Sequence, residues 1–553
     1  MTDERRDALL FAGHTRPGVL ARARAAFTIL ARHPGDALAI LKARLAGKRV
    51  RAGQARAALL GLDHHALRLT ARDPRVAPCF GPVAIGGDTI AVVPADEIAQ
   101  PLGPGIAIVV LTAAGHALTT GALDTLAHAF AKHPDRLALY GDALDVTGDV
   151  ILPLLRPAFD ADYLRAVDYI GPVVAFRRTA LEAMGGLADL HSEAPALDAL
   201  LRLADRSGAI GHLPTVLSVC TAGEGGQGDR SARLEVVRQN LDRTGQSAVG
   251  ITMGPDGVIT RVRPLNAPAP GVSLIVPTRD RLDLLRPCLD SLIHRTDWPD
   301  REILICDNDS RDPDTLAYLG DLTARGVVHV VPCPGPFDFA AMNNRAASLA
   351  KGRVLAFVNN DVTATDPSWL GRMVREAIRP EVGAVGARLV DGRGRIQHGG
   401  VVLGPGGLVT HAHRFFPGDA PGYLSGLLAT RRASAVTAAC LVVESQKFAA
   451  VGGFDAAAFA VDFNDVDLCL RLNRAGYRTL YVGGAVLTHD EAASRRWTPE
   501  ARARHEREVA AFKKRWGPLL MQDPHYHPGF DPDLGTYARL RPGWPETGPV
   551  EPR

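Results

Sequence analysis

Three apolar runs that each break off into a polar cluster constrain this chain more than any other feature. Val272–Val276 is followed by Pro277, Thr278, Arg279 and Asp280, and Ile303–Cys306 by Asp307, Asn308, Asp309 and Ser310. Val354–Val358 is followed by Asn359, Asn360 and Asp361. Between the runs lie stretches with helical spacing such as DLLRPCLDSLI. Short apolar strands separated by amphipathic helices predict an α/β architecture with a mostly parallel sheet covered on both faces. In open sheets of this kind, ligands bind beyond the carboxyl ends of the strands. One acid at a strand end is ordinarily a turn-former; three polar tips on one edge predict a nucleotide crevice.

Two later segments feed the same edge. In VDFNDVDLCLRLNRAGY, Val466, Cys469 and Leu470 share a helical face and Gly476 suits the end, which puts Asn464 and Asp465 at the helix start. Asp465 there is either a simple N-cap or a carboxylate held rigidly enough to act as a general base. The strand-like run TLYVGGAVL ends in Thr488 and His489. The Gly-rich loop from 392 to 433, with His398, His411 and His413, is expected to face a sugar, and its spacing argues against a second metal site.

The 553 residues carry 63 Lys and Arg against 60 Asp and Glu, a net charge of +3. That is too near neutral for nucleic-acid binding by the whole chain. Seven scattered cysteines with no CxxC predict neither disulfides nor a zinc site; they are expected to be buried small hydrophobes in a reducing cytoplasm. No signal peptide and no membrane span are expected. Residues 1–70 read as helical and basic, with Arg22, Arg24, Arg32, Lys42 and Arg44 set among Ala and Leu. Such helices either present a solvated face or lie on an anionic bilayer, which would place the chain peripherally at the inner face of the membrane. Residues 223–270 read as a linker, with GEGGQGDR and PLNAPAP at its two ends, and 498–553 as a charged helix and tail.

Residues from about 271 to 525 closely resemble the family 2 glycosyltransferases of GT-A fold, most of all the bacterial O-antigen and surface-polysaccharide branch. The carrying segments include VSLIVPTRDRLDLLRPCLDSL, EILICDNDS, FDFAAMNNRAASLAKG, LAFVNNDV, SAVTAACLVVESQKFAAVGGFD, FNDVDLCLRLNRAGYR and THDEAASR. The resemblance implies that 271–497 is a catalytic domain binding a nucleotide-sugar. It implies that Pro277, Thr278 and Asp307 hold the nucleoside, and that Asn344 and Asn360 lie near the diphosphate. The family's DxD metal motif falls on Asn359–Asn360–Asp361, with Asn in place of its first Asp. Asp361 and His489 would then hold Mg²⁺ or Mn²⁺, and Asp465 would be the catalytic base. A metal neutralises the leaving diphosphate, and one carboxylate takes the acceptor's proton during a direct, inverting displacement. The acceptor implied is a glycan or lipid-linked glycan.

The first half repeats the second. IAIVVLTAAGHALTTGAL parallels VLAFVNNDVTATDPSWL, and ALDALLRLADRSG parallels DVDLCLRLNRAG. Gly185–Gly186 and Arg202 answer Gly452–Gly453 and Arg471, but Ala114 stands opposite Asp361, Ala196 opposite Asp465 and Val219 opposite His489. Residues 80–222 therefore read as a degenerate GT-A-like domain without metal or base, and Asp142 and Asp145 within it read as turn polars. The sequence also admits two other functions. One is a non-catalytic glycan-binding or assembly subunit. The other is a processive synthase, weakened by the lack of membrane spans and of a QxxRW-like segment near Arg495–Trp497.

Overall fold

The computed structural model describes residues 19–61, 83–85, 88–147, 150–204, 206, 208–220, 229–265, 268–490, 498–532, 535–541 and 544. The glycine-rich run 223–228, the stretch Arg495–Trp497 and Cys79 lie outside the described residues. The chain divides into two compact units, Met1–Arg261 together with Pro524–Arg553, and Val262–Asp523. The six described cysteines are all buried and unpaired. Among the described residues no helix is long and apolar enough to cross a membrane.

The first unit opens with three helices, α1 (Val19–Arg32), α2 (Pro34–Leu45) and α3 (Arg49–Leu59). Its sheet is built on β1 (Asp88–Pro94), β2 (Ile106–Thr112), β3 (His116–Leu118), β4 (Ala138–Thr147), β5 (Val174–Arg177) and β6 (Ile210–Cys220). These run in the spatial order β1-β2-β5-β4-β6-β3. Ile108, Val110 and Leu139 of the sheet close over Leu126 and Phe130 of the helix Ala122–Lys132. Two further helices, α4 (Pro195–Leu203) and α5 (Arg230–Arg243), complete the pattern; α5, which buries Val236, Val237 and Leu241, and the strands Gly250–Met253 and Ile259–Val262 replace most of the linker expected over 223–270 with folded structure.

The second unit contains β7 (Val272–Thr278), β8 (Arg301–Asp307), β9 (His329–Pro332), β10 (Val354–Val358), β11 (Val362–Ala364), β12 (Val382–Val390), β13 (Ile396–His398), β14 (Cys440–Glu444) and β15 (Arg478–His489). The main path is β9-β8-β7-β10-β14-β12-β15-β11. Neighbours are parallel from β9 to β10 and again between β12 and β15; β14 enters antiparallel to both its neighbours. The α/β class expected of this half is met, as a mixed sheet. Trp369, Leu370, Met373 and Val374 fill the space under it with no exposed surface. The helices that concern the site are α6 (Phe339–Leu349), α7 (Asn464–Arg474) and α8 (Pro499–Trp516).

The internal repeat is visible as topology. β1-β2-β5-β4-β6-β3 and β7-β10-β14-β12-β15-β11 match strand for strand in order and in sense, parallel or antiparallel, at every step. Among the described residues the first sheet has no counterpart of β8 and β9; the short strand Val83–Ile85 lies antiparallel to β1 there. One scaffold device recurs in detail. In α4, Asp198 pairs with Arg202 (2.8 Å) and with Arg243 at the end of α5 (2.7 Å). In α7, Asp467 pairs with Arg471 (2.7 Å) and with Arg515 near the end of α8 (2.8 Å).

Strand register corrects the pairing of the two halves by one residue. Val362 faces His489 in the second sheet, and His116 faces Cys220 in the first. The counterparts of Asp361 and His489 are therefore Gly115 and Cys220 rather than Ala114 and Val219. The side chains in these strands are small and apolar enough that a one-residue slip leaves the sequence pattern equally good. A carboxylate–imidazole pair is absent in either register.

Asp142 also departs from the turn expected of it. It lies within β4 and is fully buried, as is His212 of β6. Its Oδ1 lies 3.1 Å from His212 Nε2 and accepts the Arg156 N–H at 2.9 Å, while Oδ2 lies 2.8 Å from His527 Nε2. Burial alone would raise its pKa, but the charges of His527 and His212 and the hydrogen bond with His212 hold it far below the ordinary carboxylate range. Gly529 N–H donates to His527 Nδ1 at 2.8 Å. The ring proton therefore sits on Nε2, facing Asp142, and leaves no lone pair there for a cation. Although the three side chains are close enough to share an ion, this tautomer aims an N–H rather than a lone pair at Asp142, and they form a buried carboxylate–imidazole latch in which Asp142 Oδ2 and His527 Nε2 approach without hydrogen-bond geometry.

Candidate active site

β7, β8 and β10 deliver their carboxyl ends to one edge. Pairing of β7 with β10 stops at Ile275, two residues before Pro277, whereas pairing with β8 continues through Thr278 and Asp307. Proline has no N–H to extend a ladder, and the strands part where it occurs. The chain then turns sharply. Asp280, Arg281 and Asp309 have φ of 52°, 55° and 56°, in the left-handed region that non-glycine residues seldom occupy. Asp280 Oδ1 accepts the backbone N–H groups of Arg311 (2.6 Å) and Asp312 (2.9 Å), which lower its pKa and tie the two strand ends together. Asn308, fully buried, donates to the carbonyls of Cys333 and Gly335.

The expected nucleoside residues meet on this scaffold. Thr278 is buried, and its Oγ1 accepts from Asn360 Nδ2 at 3.1 Å, which joins the β7 and β10 tips. Asp307 closes β8, with Oδ1 accepting the Ser310 N–H at 3.3 Å. Asn344 is positioned differently from an amide open to a ligand. Its Nδ2 donates to Phe454 O (2.7 Å) and its Oδ1 accepts Phe454 N–H (2.9 Å), so the amide clamps the loop that follows Gly453.

Asp361 and His489 come together through register. β11 and β15 are antiparallel with Val362 opposite His489, and Asp490 N–H donates to Asp361 O at 3.1 Å. Asp361 Oδ1 and His489 Nε2 are 3.2 Å apart, with the side chains only 8% and 7% exposed. The approach lacks hydrogen-bond geometry, and Asp361 Oδ1, His489 Nδ1 and the neighbouring Asn359 Oδ1 have no hydrogen-bond partner. Buried polar atoms are rarely left unpaired. A carboxylate oxygen meeting an imidazole, with an unpartnered amide oxygen two residues away in sequence, suits a hard or borderline divalent cation.

Asp465, half-buried at the start of α7, is linked to this strand end through the approach to β14. Its Oδ2 accepts Ala438 N–H at 3.1 Å, and the next residue, Ala439, accepts Asn359 N–H at 3.0 Å through its carbonyl. Two consecutive residues thus connect the carboxylate to the strand end that carries Asp361. Burial raises the Asp465 pKa, opposed by hydrogen bonds from Ala438, Val466 and Thr437. A carboxylate kept above its usual range is a stronger proton acceptor once ionised.

The sequence shows α8 as a charged helix but not that it braces the segment leading to Asp465. Phe463 precedes α7 with φ 63°, a strained conformation that needs support. α8 supplies it. Glu508, 4% exposed, accepts Val461 N–H (3.3 Å) and Asp462 N–H (2.5 Å). His505 Nδ1 lies 3.0 Å from Asp462 Oδ2, and Phe512 stacks on Phe463 at 4.7 Å. Trp516 Nε1 donates to Asp467 at 3.0 Å. The only sequence signal was a glutamate and aromatics on the inward face of an otherwise charged helix. On the opposite side, fully buried His398 bonds His411 between Nδ1 atoms at 2.8 Å. Burial and the nearby His411, Arg431, His489 and Arg414 keep the His398 pKa well below its ordinary value.

Residues 273–404 match the family model for glycosyl transferase family 2. The chain is 34% identical over 489 residues to the uncharacterized protein y4gI of Sinorhizobium fredii, covering 86% of this chain and 53% of that protein. It is 36% identical over 422 residues to the O-antigen biosynthesis protein RfbC of Myxococcus xanthus, covering 74% of this chain and 33% of that one. The chain thus spans about half or less of the length of these curated relatives. Among solved structures, a mannosyltransferase of Pyrobaculum calidifontis in complex with GDP-Man and Mn²⁺ aligns over 45% of this chain and 68% of its own, at 19% identity and a TM-score of 0.33.

Proposed function

We propose, from the match of residues 273–404 to glycosyl transferase family 2, that the second unit transfers a sugar from a nucleotide-sugar to a hydroxyl acceptor with inversion. The observation that supports this reading is the approach of Asp361 Oδ1 to His489 Nε2, with Asp361 Oδ1 and the nearby-in-sequence Asn359 Oδ1 unpartnered, at the strand end to which Ala438 and Ala439 connect Asp465. Asp361, His489 and Asn359 would hold a divalent cation, whose chemistry when bound is neutralisation of the leaving diphosphate. Thr278 and Asp307, at the β7 and β8 tips, bind the nucleoside, and Asn360 orients Thr278. Asp465 accepts the acceptor's proton as the new C–O bond forms and the bond to the nucleoside diphosphate breaks. Asn344 acts indirectly, by fixing the Phe454 loop.

The likeness to an O-antigen biosynthesis protein supports a surface-polysaccharide glycan, free or lipid-linked, as acceptor. Gly115 and Cys220 in place of Asp361 and His489 support a first unit that is a degenerate copy without transfer chemistry. The test is a thermal-shift screen of nucleotide-sugars against the full chain with and without Mn²⁺, followed by assay of nucleoside diphosphate release. A Mn²⁺-dependent stabilisation with turnover is expected. Sugar-polymer binding with no nucleotide-sugar binding would replace this reading with a non-catalytic glycan-binding subunit.

A further inference from the structure

The helices α1 and α2 turn large apolar side chains outward. At about 100° per residue, Leu20, Phe27 and Leu30 share one side of α1, and Ile29, half a revolution from Leu20, is on the other. Ile29 is buried at 5% exposure, while Leu20, Phe27 and Leu30 are 88%, 71% and 59% exposed. In α2, Leu38, Leu41 and Leu45 follow the i, i+3, i+7 spacing of a single face and are 52%, 53% and 81% exposed. No residue of α2 is buried. Scattered exposed leucines need no explanation, but two adjoining helices each with a three-residue apolar stripe mark an interaction surface.

Charge says what covers it. Residues 19–59 contain nine Lys and Arg against one Asp, a net +8, in a chain whose total is +3. Exposed Arg24 and Lys42 lie about 40° around the helix from the stripes, and Arg32 and Arg44 flank them further round. An apolar band edged by guanidinium and ammonium groups matches an interface with acyl chains inside and anionic headgroups at its border.

We propose that the outward faces of α1 and α2 form a membrane-surface anchor that seats on an anionic lipid bilayer. It rests on the reading that the acceptor is lipid-carried, and it gives the first unit a role that needs neither metal nor base. The side chains enter the headgroup–acyl boundary and do not span the bilayer. Because the cations are exposed, salt weakens the attachment.

The experiment is flotation of the full chain with vesicles of two parts phosphatidylcholine to one part phosphatidylglycerol, and with phosphatidylcholine alone. Wild type is expected to float with the anionic vesicles and to be released by high salt. Phe27→Asp/Leu41→Asp, at exposed positions, should reduce the floated fraction about tenfold or more. Arg24→Ala/Arg32→Ala/Lys42→Ala/Arg44→Ala should erase the preference for anionic lipid. Neither variant should alter Mn²⁺-dependent nucleotide-sugar binding, which separates failure of the anchor from failure of the transferase reading. Wild type that stays unfloated at low salt, or a double Asp variant that floats like wild type, overturns the proposal. So does concentration-dependent dimerisation, abolished by the double Asp variant, with no vesicle binding; that result assigns the surface to a second copy of the chain.

Discussion

Glu508 offers the most informative perturbation, because it lies in α8, 43 residues from Asp465 in sequence, and holds a strained loop. Its two oxygens accept the N–H groups of Val461 and Asp462, immediately before Phe463 and the Asp465 helix. Glu508→Ala leaves both donors without acceptors in a site that is 4% exposed at Glu508. At about 1–3 kcal/mol for each buried unpaired donor, the variant loses about 2–6 kcal/mol, the lower end applying where water enters. The loss falls on the loop more than on the sheet, so turnover should drop on the order of 10²-fold, the cost of a displacement of about 1 Å at a reacting group. Glu508→Gln keeps one acceptor oxygen but points an NH₂ at the other N–H, and its effect should be intermediate. Burial raises the Glu508 pKa, so the folded state binds that proton more tightly than the unfolded one. Stability from this group is therefore greatest below the ordinary glutamate range and is lost as pH rises through the raised value; Glu508→Ala should lack that slope. The assay is turnover alongside nucleotide-sugar affinity and thermal unfolding. Unchanged turnover in Glu508→Ala refutes the argument, and so does a parallel collapse of nucleotide affinity, because the β7 and β8 tips do not depend on this loop.

Asp465→Asn should fold normally and lose on the order of 10²–10⁴-fold in transfer rate; near-native turnover would remove it as the base. Since burial raises the Asp465 pKa, kcat/KM should climb with pH through a midpoint above the ordinary aspartate value of about 3.9, as measured by a pH–rate profile in a non-chelating buffer. Asp361→Ala and His489→Ala should each abolish the Mn²⁺-dependent part of the thermal shift and lower turnover about 10²-fold or more; a retained Mn²⁺ response places the cation elsewhere. His527→Ala strips one of the partners from buried Asp142 and should cost about 3–5 kcal/mol by denaturant titration. Asp142→Asn in that background should recover part of the loss, since it removes the stranded charge.

The polar ends of β7, β8 and β10, and the meeting of His489 with that edge, were legible because strand-end chemistry is local in sequence and the alternation fixes which end is which. The repeat was legible too, but only to within a residue. Gly115 and Cys220 were missed as counterparts because hydrogen-bond register is a property of pairs, and both readings bury the same kind of side chain. Asn344 looked like a ligand-facing amide since nothing nearby shows that the backbone of Phe454 uses both its atoms. Asp142 and Glu508 were illegible for one reason: their partners lie up to 385 residues away in sequence, and no periodicity reports a long-range polar contact.

The latch at Asp142 also decides how this chain can be divided. Because His527 belongs to the same compact unit as β4, the second unit is topologically an insertion between two pieces of the first. A single cut at the junction near residue 262 does not yield two self-sufficient parts. A fragment ending there would bury a carboxylate that has lost one of its imidazoles, and would carry a bare seat where residues 524–544 belong. Dissection therefore calls for excising the middle and rejoining the outer pieces.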